Sequence, residues 1–137
     1  MSLAGVNVLA VLVAAVLTFG LGALWYSPPL FARQWMAAHG YSEADVVRMQ
    51  AGMGPSYGLA FLCWLAMATV LALVAPHFGE GVGQTLHAGL LLWLGFSATV
   101  GLVANRFSDK PLSAWLIDAG YQLTSVAIMA VVLGAWR

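Results

Sequence analysis

The sequence predicts an all-α polytopic membrane protein: a bundle of four transmembrane helices with short interfacial helices in its first connection. Three observations predict it. Of 137 residues, 62% are hydrophobic and 7% charged, too few charges to clothe a soluble surface. No Lys, Arg, Asp or Glu occurs in residues 1–32, 49–79 or 81–105, and between 111 and 136 the only one is Asp118. Each stretch can supply the roughly 20 apolar residues that a bilayer-spanning helix needs. This size and composition leave room for a single integral membrane domain, residues 1–137, and for no separate soluble one.

The first span is expected at residues 3–25. It has no basic residue ahead of the apolar run, and the run is too long for a signal-peptide core. Gly20-Leu21-Gly22 has the small residues of a cleavage site, but bulky Trp25 and Tyr26 follow closely, so the segment is read as retained. The connection 26–55 is the only long one. Pro28-Pro29 marks a turn or a helix start, because proline fixes φ and is tolerated in a first turn. Leu30, Phe31, Trp35 and Ala38 recur at helical spacing opposite Arg33, and Gly40 is placed to end that helix. Ser42-Glu43-Ala44-Asp45 reads as the capped start of a second short helix ending near Gly52 and Gly54. Helices of this size with an apolar face and a tryptophan lie along a membrane interface. Further spans are expected at 56–76, 82–105 and 112–136. The second of the four would rise about 31 Å at ~1.5 Å per residue, enough for the hydrocarbon core.

An even number of spans puts both termini on one side. The first and third connections carry Arg33, Arg48, Arg106 and Lys110, and the terminal side carries only Arg137. The positive-inside rule then makes the two connections cytoplasmic and both termini external, or periplasmic, to the cell (inner) membrane. Trp25, Tyr26, Trp35, Trp115 and Trp136 all fall near the expected interfaces, where an aromatic belt would place them.

Several functions find no footing. With five basic and five acidic residues, the chain has no electrostatic footprint for nucleic acid. Cys63 is alone, which excludes an intrachain disulfide and a cysteine-rich metal site. His77, Glu80 and His87 cluster around the second connection, but their spacing matches no ligand motif, and His39 has no companion. Neither a phosphate-binding glycine loop, a nucleophile elbow nor a paired-histidine protease motif occurs. No metal, no cofactor and no enzyme activity are expected.

The chemistry-bearing residues lie on the fourth span. Asp118, Tyr121, Gln122 and Ser125 stand at i, i+3, i+4 and i+7, hence on one helical face. Asp118 lies about 9 Å into the span at ~1.5 Å per residue. An acid there is costly in lipid, so this face must look towards other helices or water. Two readings follow: a proton- or solute-binding site, or an interhelical clasp with Arg106 and Asn105 near the end of the third span. The sequence favours the clasp. Ala14, Thr18 and Gly22 on the first span, and Trp93, Ser97 and Gly101 leading to Asn105 on the third, form small-residue seams suited to close helix packing.

Gly22-Ala23-Leu24-Trp25-Tyr26-Ser27-Pro28, Ser56-Tyr57-Gly58, Trp93-Leu94-Gly95-Phe96 and Asn105-Arg106-Phe107 resemble segments of the uncharacterised bacterial membrane family catalogued as domain of unknown function 1761. The stretch from Asp118-Ala119-Gly120-Tyr121 to Gly134-Ala135-Trp136 looks like that family's last helix. The resemblance covers nearly the whole chain and implies a membrane fold without an activity to transfer. It also implies that an amide is admissible where Asp118 stands and a glycine where Ala130 stands.

The expected function is therefore that of a small non-enzymatic membrane protein. It would be a structural or accessory subunit, associating through small-residue helix faces with a larger membrane complex and surrounded by lipid. The alternative is a homo-oligomeric transporter or channel for a small solute or ion, using the polar site around Asp118.

Overall fold

Asn7 starts the first membrane helix. Its side-chain oxygen accepts the Ala10 N–H at 3.1 Å, satisfying one of the donors that every helix start leaves unpaired. In a computed structural model, which describes residues 5–136, helix α1 runs Val8–Trp25. The span expected from residue 3 thus begins later: Gly5 has φ 105°, and Asn7 caps the helix. Residues 3 and 4 and Arg137 lie outside the described residues. α1 ends where Ser27 precedes Pro28, since a residue before proline is pushed away from helical backbone.

Two short helices follow. α2 is Ala32–His39, closed by Gly40 in the left-handed conformation at φ 70°. α3 is Glu43–Gln50 and opens on a reciprocal cap in which the Ser42 hydroxyl accepts the Asp45 N–H while the Asp45 carboxylate accepts the Ser42 N–H. α4, Gly54–Val74, has Pro55 in its first turn and tightens into a 3-10 turn at Ala75–Phe78, where Pro76 lacks an N–H. The third span contains α5, Val82–Leu92, a π-helical segment, Trp93–Ala98, and α6, Thr99–Phe107. α7, Leu112–Ala135, follows Pro111. Among the described residues four helices are long and apolar enough to cross a membrane: Val8–Trp25, Gly54–Phe78, Val82–Phe107 and Leu112–Ala135. No strand occurs among the described residues, so the fold is all-α, as expected.

α7 is the central helix. Of its most apolar window 44% is buried, against 17% for the second and third spans. It runs antiparallel to α1. At one end the Asn7 amide donates to the Trp136 carbonyl at 3.3 Å, and at the other the Trp25 indole donates to Ile117 O at 3.0 Å. Between these ends Ala10 and Ala14 of α1 pack with Met129, Ala130 and Leu133 of α7, joined by Ala68 and Leu71 of α4 and Ala88 of α5. Lipid tails are as apolar as leucine, so close packing rather than the hydrophobic effect must hold such helices together. At Gly134 two backbones approach closely: a Cβ there would stand 2.6 Å from Val82 Cα. Three hydroxyls enter the bundle by bonding within their own helices, Thr69 to Leu65 O, Thr124 to Gly120 O and Ser125 to Tyr121 O, whereas Thr18 Oγ1 is buried without a partner among the described residues.

The π segment was not legible in the sequence. Its wider turns leave a backbone carbonyl with spare capacity, and Ala98 O accepts the Trp115 indole N–H at 3.2 Å. Trp93 Nε1, at the other end of the segment, is buried without an acceptor among the described residues. It borders an almost wholly apolar cavity of about 450 Å³ between α4, the π segment and α7.

Candidate functional site

Asp118 takes Tyr26, not Arg106, as its partner. Tyr26 caps the end of α1, and its hydroxyl donates to Asp118 Oδ1 at 2.6 Å. The Asn105 amide donates instead to the carbonyls of Lys110 and Pro111, at 3.2 and 3.1 Å, and so fastens the turn between α6 and α7. Arg106 is exposed in the last turn of α6, where a cation is favoured by the helix dipole. The one ion pair among the described residues joins Arg48 to Asp45. The expected clasp of Asp118 with Arg106 and Asn105 is thus absent, because the α6–α7 turn engages the amide and leaves the guanidinium outside the bundle.

The predicted face of α7 divides. Asp118 and Tyr121 border a cavity of about 850 Å³, whereas Gln122 is half-buried elsewhere and Ser125 is buried, bonded to Tyr121 O. Tyr121 is the floor of the cavity. Its hydroxyl donates to Thr18 O of α1 at 2.8 Å, and its ring meets those of Tyr26 (5.5 Å between centroids) and Trp64 (5.3 Å) edge to face. Gly22 makes this possible: a Cβ there would stand 2.7 Å from Tyr121 Oη. The seam Ala14, Thr18 and Gly22 is therefore used inside the protomer, against α7. In the other seam, Gly101 faces the Trp115 indole and Trp93 and Ser97 border the 450 Å³ cavity.

The roof is the α2–α3 hairpin. Trp35 and Met36 of α2, Met49 and Gln50 of α3, and Met53 close the cavity from above, and Tyr57 and Trp64 of α4 form a side wall. α3 has no buried residue. The hairpin is pinned at its turn, where Trp35, His39 and Tyr41 stack with centroids 4.2 to 5.7 Å apart and Lys110 Nζ lies 5.9 Å from the Tyr41 ring. His39, read as companionless, has its partners here: Nδ1 also lies 3.0 Å from Trp35 O.

Of the five aromatic residues assigned to an interfacial belt, three turn inward. Trp25 donates to Ile117 O and Trp115 to Ala98 O, and Tyr26 binds Asp118. Trp35 borders the cavity, and Trp136 is exposed. Tyr26 is the site residue that sequence reasoning assigned elsewhere. The only signal for it was that the end of the first span and the start of the fourth lie on the same side. Burial, reinforced by the hydrogen bond and the charge of Asp118, pushes the Tyr26 phenol far above the usual tyrosine range, so it stays a donor. Among the described residues no three metal-ligating side chains converge.

A family model described as "Protein of unknown function (DUF1761)" matches residues 9–134. No curated protein matches the chain, and no solved structure does. The chain belongs to the DUF1761 family.

Proposed function

We propose that this member of the DUF1761 family is a non-enzymatic integral membrane protein that binds a small solute beneath the α2–α3 hairpin and passes it through the membrane as a homo-oligomer. The single observation that carries the reading is the placement of Asp118. The only acid within the four spans stands on a cavity of about 850 Å³, held by a phenol rather than neutralised by a cation. An acid costs about 2.5–3.5 kcal/mol at a helix centre on insertion scales and less near an end, where Asp118 stands on the second turn of α7, and intramembrane acids face water-filled spaces or partners. A merely structural role for Asp118 would leave the adjoining space without purpose.

The cavity ends at Tyr121, below which the α1–α7 core is closed by Ala10, Ala14, Met129 and Ala130. One protomer therefore encloses half a path. Completing it requires a second copy or a movement of the hairpin, whose α3 buries nothing. The polar groups on the cavity are three phenols, two indoles, one amide and one carboxylate, without a nucleophile–base pair, which supports a binding role over catalysis. In this reading no metal, cofactor or nucleic acid takes part. Lipid surrounds the bundle, and the positive-inside count puts the cavity on the cytoplasmic side of the inner membrane with both termini outside.

The test is flux into proteoliposomes of a panel of small ions and neutral solutes, comparing wild type with Asp118→Asn. Flux that disappears in a variant of unchanged helicity and melting supports the reading. Equal flux in both would remove Asp118 from the mechanism, and no flux above empty vesicles would end the transport reading.

An accessory subunit is the second reading, and one observation favours it. Gly20, Gly58 and Gly95 are exposed with open space around their Cα atoms, so another helix could approach closely there. A stoichiometric unrelated partner in the gently solubilised native complex would select this reading, whereas a discrete oligomer of this chain alone would select transport.

A further inference from the structure

The geometry points to an amphipathic organic cation, an amine or quaternary ammonium on an aromatic or branched apolar body, as the occupant of the cavity beneath the α2–α3 hairpin. The inference rests on the reading of that cavity as the solute site and names its substrate class. Charge is the first argument. Among the described residues Asp118 is the only charged side chain bordering the cavity, and no Lys, Arg or His does. Its Oδ1 holds the Tyr26 hydroxyl, while Oδ2 has no donor among the described residues and remains free to face a cation. The nearby basic groups are engaged or turned away: Lys110 lies by the Tyr41 ring, Arg48 is paired with Asp45, and Arg33 and Arg106 are exposed.

The walls make the second argument. Trp35, Trp64, Tyr26 and Tyr121 present aromatic rings to the space, and Met49 and Met53 add polarizable thioethers. An aromatic face carries partial negative charge and attracts an ammonium group within about 6 Å, more strongly where water is displaced. Methionines pack around irregular apolar bodies without demanding one shape. Size agrees, since pockets for drug-sized ligands run from about 300 to 1,000 Å³. An anion would meet neutral donors only, those of Tyr57, Gln50, Trp35 and Trp64, since the Tyr26 and Tyr121 hydroxyls are already donated to Asp118 and Thr18, and it would stand beside the Asp118 carboxylate. A zwitterionic lipid headgroup would bring a phosphate beside Asp118 with no basic side chain to receive it, so a free cation is the better fit.

The experiment titrates the full-length purified protein with tetraphenylphosphonium and with tetraphenylborate, ions of one shape and opposite charge, by calorimetry and tryptophan fluorescence. Wild type is expected to bind the phosphonium at least tenfold more tightly than the borate, and Asp118→Asn to lose at least tenfold in phosphonium affinity. Should Asp118→Asn fail to fold, Met49→Lys decides. It lies on α3, which buries no residue, and places a cation on the cavity wall. It is expected to abolish phosphonium binding and to admit the borate. Equal binding of both ions by wild type, an unchanged preference in Met49→Lys, or binding of neither ion would overturn the inference. Displacement of the phosphonium by short-chain phosphatidylcholine at equal concentration would assign the site to a lipid headgroup and overturn it too. Borate preferred over phosphonium would refute the cation class while leaving a solute site. Asp118-dependent phosphonium binding without flux of any solute into vesicles would uphold the class and refute transport.

Discussion

Gly22 and Tyr121 are fitted to each other across the α1–α7 contact. The hydroxyl that would meet a Gly22 Cβ at 2.7 Å is the one that donates to Thr18 O at 2.8 Å. The ring is also held by Trp64 and Tyr26, so it has little room to retreat.

Gly22→Ala should therefore destabilise the bundle by about 1–3 kcal/mol, the usual cost of overpacking. Removing the hydroxyl in Tyr121→Phe relieves the nearest contact and leaves one of 3.2 Å to the ring carbon. Denaturant unfolding in detergent micelles should show the double variant to be less destabilised than the sum of the singles. Additive losses would mean that Tyr121 is not what Gly22 accommodates.

Tyr26→Phe should cost about 1.5–3 kcal/mol, the scale of a hydrogen bond to a charged group. The informative comparison is with Arg106. A cycle of Tyr26→Phe with Asp118→Asn should give a coupling above about 0.5 kcal/mol, whereas Arg106→Gln with Asp118→Asn should be additive within that margin. Coupling of Arg106 instead of Tyr26 would restore the ion-pair clasp.

The cap of α3 supplies a pH dependence. Asp45 is held below the ordinary carboxylate range by the Ser42 N–H, then by the Ser42 hydroxyl and by Arg48. Its folded pKa is depressed, so its contribution is complete above the unfolded value of about 3.9 and is lost as pH falls through the lower folded value. NMR amide shifts of Ser42 and Asp45 should change in that acid window. Asp45→Asn should abolish the transition; a transition that persists would belong to another group.

The spans were legible because charge in a bilayer is costly enough to leave whole stretches without Lys, Arg, Asp or Glu. The hairpin was legible too, since Gly40 and the Ser42–Asp45 pair are local signals whose structure forms locally. Asp118 was found as an isolated acid, but its partner was not, because partners depend on how far one helix slides along another. Periodicity places Asp118 on a face and says nothing of whether Tyr26 or Arg106 reaches it. The cavity was hidden for a related reason. It exists because α2 packs against α7 and Lys110 meets the Tyr41 ring, long-range contacts without a spacing to read.

The π-helical stretch at Trp93–Ala98 behaves as if one residue had been inserted into an ordinary helix. In α geometry each residue turns the chain by about 100°, so such an insertion swings everything after it onto a new azimuth without moving what comes before. α5 and α6 are thus aimed independently: one presents Gly89 to Val126, the other Gly101 to Trp115 and Asn105 to the carbonyls of Lys110 and Pro111. Excising one residue, Gly95 for instance, would rewind the segment and point Asn105 away from the turn it fastens. The third span would still cross the membrane, but its two halves would no longer answer to their separate neighbours.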